Sequence, residues 1–301
     1  MSEKAIPAAS REFLPVDPLR PNIFGTPLAA KSIGVVERPL SAFERIYAQP
    51  AVRKTVILLV LALIWEFYGR SLNNPLLFPS FSETVRALIS SISDGSLPAR
   101  VVVSLRVLLI GYVIGIALAG LLTVFAVLTK IGHDLLETLT AMFNPLPAIA
   151  LLPLALIWFG LGEGSIVFVL VHSVMWAVAL NTLSGFSGVS NTLRMVGRNY
   201  DLNVLRYVSE ILIPAALPSI LAGLKIGWAF AWRTLIAAEL VFGVSSGSGG
   251  IGWFIFENKN DLEIDRVFAG LLTVILIGLF VEGVVFHTLE ANTVRRWNLQ
   301  S

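Results

Sequence analysis

The sequence contains no cysteine, and only 14% of its 301 residues are charged. The lack of cysteine excludes disulfide bonds, thiolate metal sites and cysteine nucleophiles. Soluble domains carry about 25% charged residues. The shortage of charge, together with 55% hydrophobic residues and a mean hydropathy of +0.79, therefore indicates an integral membrane protein. The net charge of +2 is too small to suggest nucleic acid as a partner.

Motifs for nucleotide hydrolysis and metal-dependent proteolysis are also missing from the sequence. It contains neither the G-x-x-x-x-G-K-[ST] loop that binds nucleoside triphosphates nor the H-E-x-x-H pair of zinc proteases. We therefore expect no catalytic residues and no metal site in this chain. The glycine-rich run GVSSGSGGIG at 243–252 has no Lys or Arg. It is interpreted as a flexible turn, with a docking surface for another protein as the alternative.

The first 50 residues differ in composition from the rest of the chain. They carry mixed charges and seven prolines, at positions 7, 15, 18, 21, 27, 39 and 50. Segments of this composition do not bury enough apolar surface to form a core. We interpret residues 1–52 as a cytoplasmic, largely disordered tail, either a plain tether or a regulatory or partner-docking segment. A transmembrane domain follows over 53–298.

Six apolar segments follow the tail. A bilayer core about 30 Å thick needs about 20 apolar helical residues. The first segment is shorter than this, but Arg53, Lys54, Trp65 and Tyr68 flank it, and such residues are typical of membrane interfaces. The six segments are 55–69, 101–128, 139–162, 165–186, 220–243 and 267–290. The predicted fold class is therefore an all-α membrane protein with six transmembrane helices.

The placement of Lys and Arg predicts the orientation of these spans. With a cytoplasmic N-terminus, the cytoplasmic segments hold more Lys and Arg than the segments on the other side, as the positive-inside rule requires. We therefore expect both termini in the cytoplasm. On this topology the polar segment 187–213 is a cytoplasmic loop between the fourth and fifth spans.

This cytoplasmic loop has the pattern of an amphipathic helix. Val196, Tyr200, Val204 and Tyr207 recur at three- and four-residue steps, and charged residues occupy the other positions. A helix of this kind lies along the membrane surface or docks into a groove on another protein. A plain amphipathic connector is the alternative.

Four stretches of the sequence resemble one family of membrane proteins. They are PAALP at 214–218 with the following ILAGLKIGWAFAWRTLIAAEL, NPLPAIALLPLALIWFGLGEGS at 144–165, SLRVLLIGYVIGIALAGLLTV at 104–124, and LEANTVRRW near the C-terminus. Together they resemble the permease subunits of bacterial binding-protein-dependent ABC importers, in the branch for nitrate, taurine and alkanesulfonates. The resemblance covers about 53–298.

This resemblance implies a type I ABC importer permease with the MetI-like fold and a cytoplasmic coupling helix between its fourth and fifth spans. It implies a homodimer in the bacterial inner membrane, with cytoplasmic ATP-binding subunits and a periplasmic substrate-binding protein as partners. ATP and Mg would be bound by the partner ATPase, with no cofactor bound by this chain. The solute would be a small anion such as nitrate, a sulfonate or taurine.

The resemblance also assigns part of the loop to contact with the ATPase. The residues are Arg194, Arg198, Tyr200, Asp201, Val204, Arg206, Tyr207 and Glu210. The family's loop usually reads Glu-Ala-Ala, three residues and Gly, and those positions here fall on 195–197 and Asp201. Asp is among the few residues that visit the left-handed backbone region, so we expect the turn to persist and the Asp201 carboxylate to cap the next helix. The missing Glu means that the family's salt bridge to its partner cannot be carried over.

Polar residues inside the spans are the candidates for the transport pathway, because they are costly in lipid and usually face a bundle interior. The candidates are Asn144, Pro147, His172, Lys225, Trp228, Trp232, Arg233 and Glu239. Arg233 lies nearest mid-membrane, and a guanidinium binds oxyanions in a forked geometry. Alternatives remain for Lys225 (reaching the cytoplasmic surface), Glu239 (local pairing) and His172 (packing).

Prolines interrupt two further places. Those at 145, 147 and 153 interrupt the third span, and irregular backbone at membrane depth indicates a pore lining or gate. Those at 214 and 218 are expected to end the surface helix and begin the fifth span.

Two other classes of protein compete with an importer permease. A stand-alone secondary transporter or channel predicts internal inverted repeats, which the sequence does not show. A membrane enzyme predicts a catalytic constellation, which we do not find either.

Overall fold

Helices make up almost all of the chain that the computed structural model describes, which is residues 47–242 and 249–295. These two ranges contain no β-strand. The helices are α1 (Pro50–Leu72), α2 (Phe81–Ser93), α3 (Ser96–Leu128), α4 (Lys130–Phe143), α5 (Leu152–Phe159), α6 (Glu163–Ser187), α7 (Asn191–Asn199), α8 (Val204–Val241), α9 (Ile251–Asn260) and α10 (Ile264–Thr293). A 3₁₀ turn, Ala148–Leu151, precedes α5. Most of the predicted tail, residues 1–46, lies outside the described residues.

Residues up to Ile57 and residues from Leu58 onward form two separate units. In the first unit, Arg53 donates hydrogen bonds to the carbonyl oxygens of Tyr47 and Ala48 at 2.9 and 3.1 Å. The packing described below belongs to the second unit.

Five helices, α1, α3, α6, α8 and α10, are each long and apolar enough to cross a membrane. The predicted third span, 139–162, is not one straight helix, because α4 and Ala148–Phe159 meet at a bend of 90°. Pro145 and Pro147 lack the N–H groups that would continue α4, and Pro147 holds an extended backbone with φ −60° and ψ 118°. The all-α membrane fold is confirmed. The count of six spans is reached only if this bent pair is taken as the third span.

Helices α3, α6 and α8 form the packed centre of the second unit. A Cβ at Gly111 of α3 would lie 2.6 Å from the Leu170 Cβ of α6, and one at Gly115 would lie 2.7 Å from the Val174 Cβ. Membrane helices associate through such small residues, since lipid provides no hydrophobic drive between them. This close packing fixes the positions of the side chains that α6 and α8 contribute to the site.

Helix α8 continues through both prolines, so the prediction that they end a surface helix is wrong. The chain is π-helical over Tyr207–Leu212 and α-helical from Ile213, with Pro218 inside the helix. A π-helical turn just before Pro214 suits a residue that has no N–H to donate. One helix therefore joins the polar segment to the membrane span. We call the end where α6 stops and α8 starts the α7 end, and the opposite end the α9 end.

Candidate functional site

A cavity of about 350 Å³ lies beside the bend between α4 and α5, and we call it the central cavity. Asn144 and Pro147 line it from the bend, His172 and Trp176 from α6, and Arg233 from α8. The structure therefore brings four of the sequence-predicted pathway residues together in one place, although they lie far apart in the chain. Broken backbone at membrane depth is tolerated where it lines such a cavity.

Two polar rings of α6 border this cavity. The Trp176 indole stacks on Phe143, with ring centres 5.3 Å apart and planes inclined by 13°. Both ring nitrogens of His172 and the indole N–H of Trp176 are buried without a hydrogen-bond partner among the described residues. The His172 ring packs edge-on against Phe143 and Trp176, but the hydrogen-bond partner that buried polar atoms normally have is not found among the described residues.

Arg233 carries the positive charge of the central cavity. Its side chain is exposed on the surface of the chain, and its guanidinium carbon lies 5.7 Å from the ring centre of Phe230. It forms no ion pair with any carboxylate in the described ranges. The guanidinium therefore keeps its donors free for an oxyanion.

A second cavity of about 360 Å³ lies between α8 and α10, and we call it the side cavity. Lys225, Trp228, Trp232 and Arg233 line it from α8, and Glu282 lines it from α10. The two indoles are stacked, with ring centres 6.5 Å apart and planes inclined by 6°. Arg233 thus borders both cavities, and the side cavity holds charges of both signs.

Lys225 is paired within the chain. Its Nζ lies 2.9 Å from the carboxylate of Glu290 on α10. This pair joins α8 to α10 toward the α7 end, and Lys225 lines the side cavity as well. Among the two cations that line the side cavity, Arg233 is the one without a described carboxylate partner.

Glu239, a pathway candidate from the sequence, lines neither cavity. Its carboxylate is 3% exposed and accepts hydrogen bonds of 2.8 Å from the Ser104 hydroxyl and the Gly252 amide. The Ser104 hydroxyl accepts a further bond of 2.8 Å from the Ile251 amide. We call Ser104, Glu239 and residues 250–252 the α9 clamp. A carboxylate at a helix N-terminus stabilises that helix. The described contacts of the Glu239 carboxylate are thus local, with α3 and the start of α9.

Exposed apolar side chains cover the connection from α7 to α8. Tyr200 is 76% exposed and Leu205 is 75% exposed, while Met195 and Val204 are about half exposed. Contiguous exposed apolar groups indicate an interaction surface. The charged residues exposed around them are Arg198, Asp201, Arg206 and Glu210.

Arg194 contacts its own chain. Its guanidinium donates hydrogen bonds to the carbonyl oxygens of Phe186, Val189 and Ser187 at 2.8, 3.0 and 3.2 Å. The last carbonyls of a helix have no partner within it, and Arg194 supplies partners at the end of α6. This residue, expected at the ATPase contact, therefore braces α7 against α6.

Tyr207 also packs inward. Its ring lies so close to α7 that a Cβ at Gly197 would come within 2.6 Å of it. Tyr207 also packs on the buried cluster that contains Phe186 and Leu212. Tyr207 therefore holds α7 against the start of α8, and the exposed apolar anchors are Tyr200 and its neighbours.

Asp201 has the left-handed backbone that the sequence predicts, with φ +50°. The amides of Asp201 and Leu202 donate to the carbonyls of Arg198 and Gly197 at 3.1 and 3.2 Å, a pattern that ends helices at a left-handed residue. The predicted cap is wrong, because the side chain of Asn203, and not that of Asp201, caps α8.

Glu282 is the cavity residue that sequence reasoning missed. It lies within the predicted sixth span, in the π-helical turn Val281–Phe286, and its side chain is exposed. A carboxylate inside a span is costly and usually functional. An acidic residue in the interior of the apolar segment 267–290 was therefore the sequence feature that could have identified Glu282.

Comparison with known proteins places the chain in a family. Residues 111–288 match the family described as binding-protein-dependent transport system inner membrane component. The chain belongs to this family. It is similar to the nitrate import permease protein NrtB of Synechocystis, with 29% identity over 79% of this chain and 87% of the relative.

Two relatives from Escherichia coli are similar over comparable lengths. The putative aliphatic sulfonates transport permease protein SsuC shares 29% identity over 74% of this chain and 82% of its own length. The taurine transport system permease protein TauC shares 26% identity over the same fractions, 74% and 82%. The protein is therefore a multi-pass inner-membrane permease subunit of an ABC importer with the MetI-like fold. These relatives do not support a stand-alone secondary transporter or channel.

Proposed function

We propose that the permease forms one half of a translocation pathway for a small anionic solute, and that Arg233 is the residue that attracts this solute. The observation that carries the proposal is the exposed guanidinium of Arg233 at the border of two cavities, without a described carboxylate partner. A guanidinium offers several N–H donors to nitrate or sulfonate oxygens. The names of the relatives, which refer to nitrate, aliphatic sulfonates and taurine, agree with a solute that carries an oxyanion group.

The exposure of Arg233 also supports a homodimer. An arginine side chain that faces hydrocarbon in mid-span costs about 2.5 kcal/mol or more. A second copy of the chain, placed over this face, would replace lipid by a shared water-filled path with an Arg233 on each side. The pathway would then be complete only in the dimer.

The bend between α4 and α5 is suited to act as a gate. Asn144 and Pro145 line the central cavity and also a third cavity of about 520 Å³, which extends along α4 and α6 past Thr140 and Ser184 toward the α7 end. The bend is therefore the wall between the two spaces. A modest change of the 90° angle would join them, which is how alternating access could be achieved.

The exposed surface between α7 and α8 is the proposed docking site for the partner ATPase. Tyr200, Val204 and Leu205 supply an apolar anchor, and charges at the rim, including Arg198 and Arg206, set the register. ATP and Mg would be bound by that subunit and not by this chain. On this assignment the α7 end and both termini are cytoplasmic.

The opposite end of the permease would receive the solute from a periplasmic binding protein. Helix α9 lies at this end, and the α9 clamp holds the helix on α3 and α8. Residues 243–248 lie outside the described ranges, and the proposed docking surface is that of α9. Solute released there would enter the path that Arg233 borders.

The test is ATP-driven uptake by proteoliposomes that contain the permease with its ATPase and binding protein. We expect Arg233→Ala to lower uptake at least tenfold, which corresponds to about 1.4 kcal/mol, while ATP hydrolysis continues. Arg266→Ala, which removes an arginine paired locally with Glu263 at the start of α10, is the control and should transport normally. Normal uptake by Arg233→Ala would overturn the role of this residue, and ion-coupled flux without the ATPase would overturn the importer.

A further inference from the structure

We propose that the side cavity recognises a zwitterionic solute, with Arg233 binding its anionic group and Glu282 its ammonium group. This inference rests on the proposed transport pathway. It narrows the substrate class from solutes with an oxyanion group to those that also carry an ammonium group, the amino-substituted sulfonates or carboxylates. The charges of the side cavity, its aromatic wall and the backbone around Glu282 support it.

The charges of the side cavity are opposite in sign and not joined to each other. Arg233 and Glu282 both line it, yet neither forms an ion pair within the described ranges. Lys225, the other cation of the lining, is engaged by Glu290 at 2.9 Å. The cavity therefore presents one free cation and one free anion, each costly at membrane depth.

A simple anion fits this arrangement poorly. It would pair with Arg233 but would also enter the field of the Glu282 carboxylate, and like charges near each other in a medium of low dielectric constant repel strongly. A solute that carries both charges satisfies both side chains at once. It also has no net charge, so its passage through the span avoids the cost of an unpaired ion.

The aromatic wall of the side cavity suits an ammonium group. Trp228 and Trp232 lie parallel, with ring centres 6.5 Å apart, and indole faces attract cations. This wall can therefore hold the cationic group of the solute against an indole ring.

The backbone around Glu282 departs from regular α-helix. The turn Val281–Phe286 is π-helical, and single π-helical turns inside α-helices occur frequently at functional sites. Nothing lies within 4 Å of a Cβ at the neighbouring Gly283, so local crowding does not force this geometry. The π-helical turn widens α10 at the point where Glu282 lines the side cavity.

The test compares two probes that differ only in the group proposed to meet Glu282. Taurine and isethionate share a sulfonate and a two-carbon chain, and they end in an ammonium and a hydroxyl group respectively. Their radiolabelled forms are bound to the permease–ATPase complex in lipid nanodiscs without the binding protein, so that the binding protein cannot select between them. We expect the wild type to bind taurine about tenfold more tightly than isethionate, as loss of a charged hydrogen bond implies.

Glu282→Gln should weaken taurine binding about tenfold and leave isethionate binding unchanged or tighter. The matched control is Glu263→Gln, which changes a carboxylate that pairs with Arg266 outside both cavities; it should bind both probes like the wild type. Retained isethionate binding by Glu282→Gln shows that the variant is folded.

Three results would overturn this inference. They are equal affinity of the wild type for the two probes, an equal loss of both in Glu282→Gln, and no saturable binding of either up to about 10 mM. The proposed function is tested separately, by ATP-driven uptake of an anion such as nitrate by the same wild-type complex. Absence of such uptake would reject the proposed function itself. If uptake depends on Arg233 while the probes show no preference, the pathway stands and only the zwitterion is rejected.

Discussion

Ser104 on α3 and Glu239 on α8 share a buried hydrogen bond of 2.8 Å, and each also binds an amide at the start of α9. Two spans and a short helix are therefore joined through one carboxylate. Arg100 strengthens this end of α3, because its guanidinium contacts the Gly249 carbonyl at 3.1 Å and the Glu257 carboxylate at 2.9 Å. The start of α9 is thus bonded to both α3 and α8.

Replacement of Gly250 by Ala should open this clamp. A Cβ at position 250 would overlap the carboxylate of Glu239 and the hydroxyl of Ser104, so one of the buried groups must move. We expect a destabilisation of about 1–3 kcal/mol, the usual effect of overpacking. Thermal unfolding of the purified complex in detergent measures it.

Gly120→Ala is the control for this substitution. Gly120 also lies on α3, but a Cβ there would meet nothing within 4 Å. Its stability should match or slightly exceed that of the wild type, because alanine favours helix. Equal melting of the two variants would show that the clamp does not hold α9.

Loss of the Arg194 side chain should loosen α7 from α6. Arg194→Ala removes three hydrogen bonds that a charged donor makes to carbonyl oxygens at and just after the end of α6, and we expect a local loss of about 1.5–3 kcal/mol. Amide hydrogen exchange over 186–200 should become faster. ATP consumed per solute transported should rise, because the brace connects the docking surface to α6.

Arg198→Ala serves as the comparison for Arg194. Arg198 is exposed on the same short helix, so its removal should leave exchange over 186–200 unchanged, whatever it does to contact with the ATPase. Identical exchange in the two variants would contradict the bracing role.

The membrane spans could be predicted from the sequence because apolar length alone defines them. The contacts of Arg194 and Glu239 could not be, since they depend on which distant carbonyls and amides the fold brings within reach. The left-handed backbone of Asp201 was predictable, because Asp adopts this conformation more readily than most residues. The residue that caps α8 was not, because Asn203, which directly precedes the helix, is also a good capping residue. The prolines at 145 and 147 break their helix but Pro218 lies inside one. Sequence alone does not show whether a helix can continue past a proline by a local change of its hydrogen-bond pattern, such as the π-helical turn before Pro214.

Substitutions at Asp201 should separate backbone strain from side-chain contact. Asp201→Gly relieves the left-handed backbone at φ +50° and should stabilise the turn by up to about 1 kcal/mol. Asp201→Val, which is branched at Cβ, should destabilise it by about 1–2 kcal/mol. Hydrogen exchange of the Leu202 amide, bonded to the Gly197 carbonyl at 3.2 Å, reports the effect. A loss of protection in Asp201→Gly as large as in Asp201→Val would mean that the carboxylate itself holds the turn.

Removal of the two prolines at the bend should straighten it. In Pro145→Ala/Pro147→Ala the missing N–H groups return and the helix can continue. A continuous helix between positions 131 and 157 would separate them by up to about 39 Å at 1.5 Å per residue. Pro153, which would then lie inside that helix, shortens this distance somewhat, but it stays longer than a bend of 90° allows. The chain has no cysteine, so spin labels on cysteines introduced at these exposed positions measure the distance without background. Samples are diluted with unlabelled chain so that only distances within one copy are read.

The straightened variant should also lose transport, because the central cavity takes part of its wall from the bend. Pro153→Ala is the matched control, since Pro153 lies in the first turn of α5, where a missing N–H has no helical acceptor to lose. That variant should keep both the short distance and normal uptake. Uptake that persists in a straightened double variant would show that the bend is not the gate, because the two cavities would then exchange solute without it.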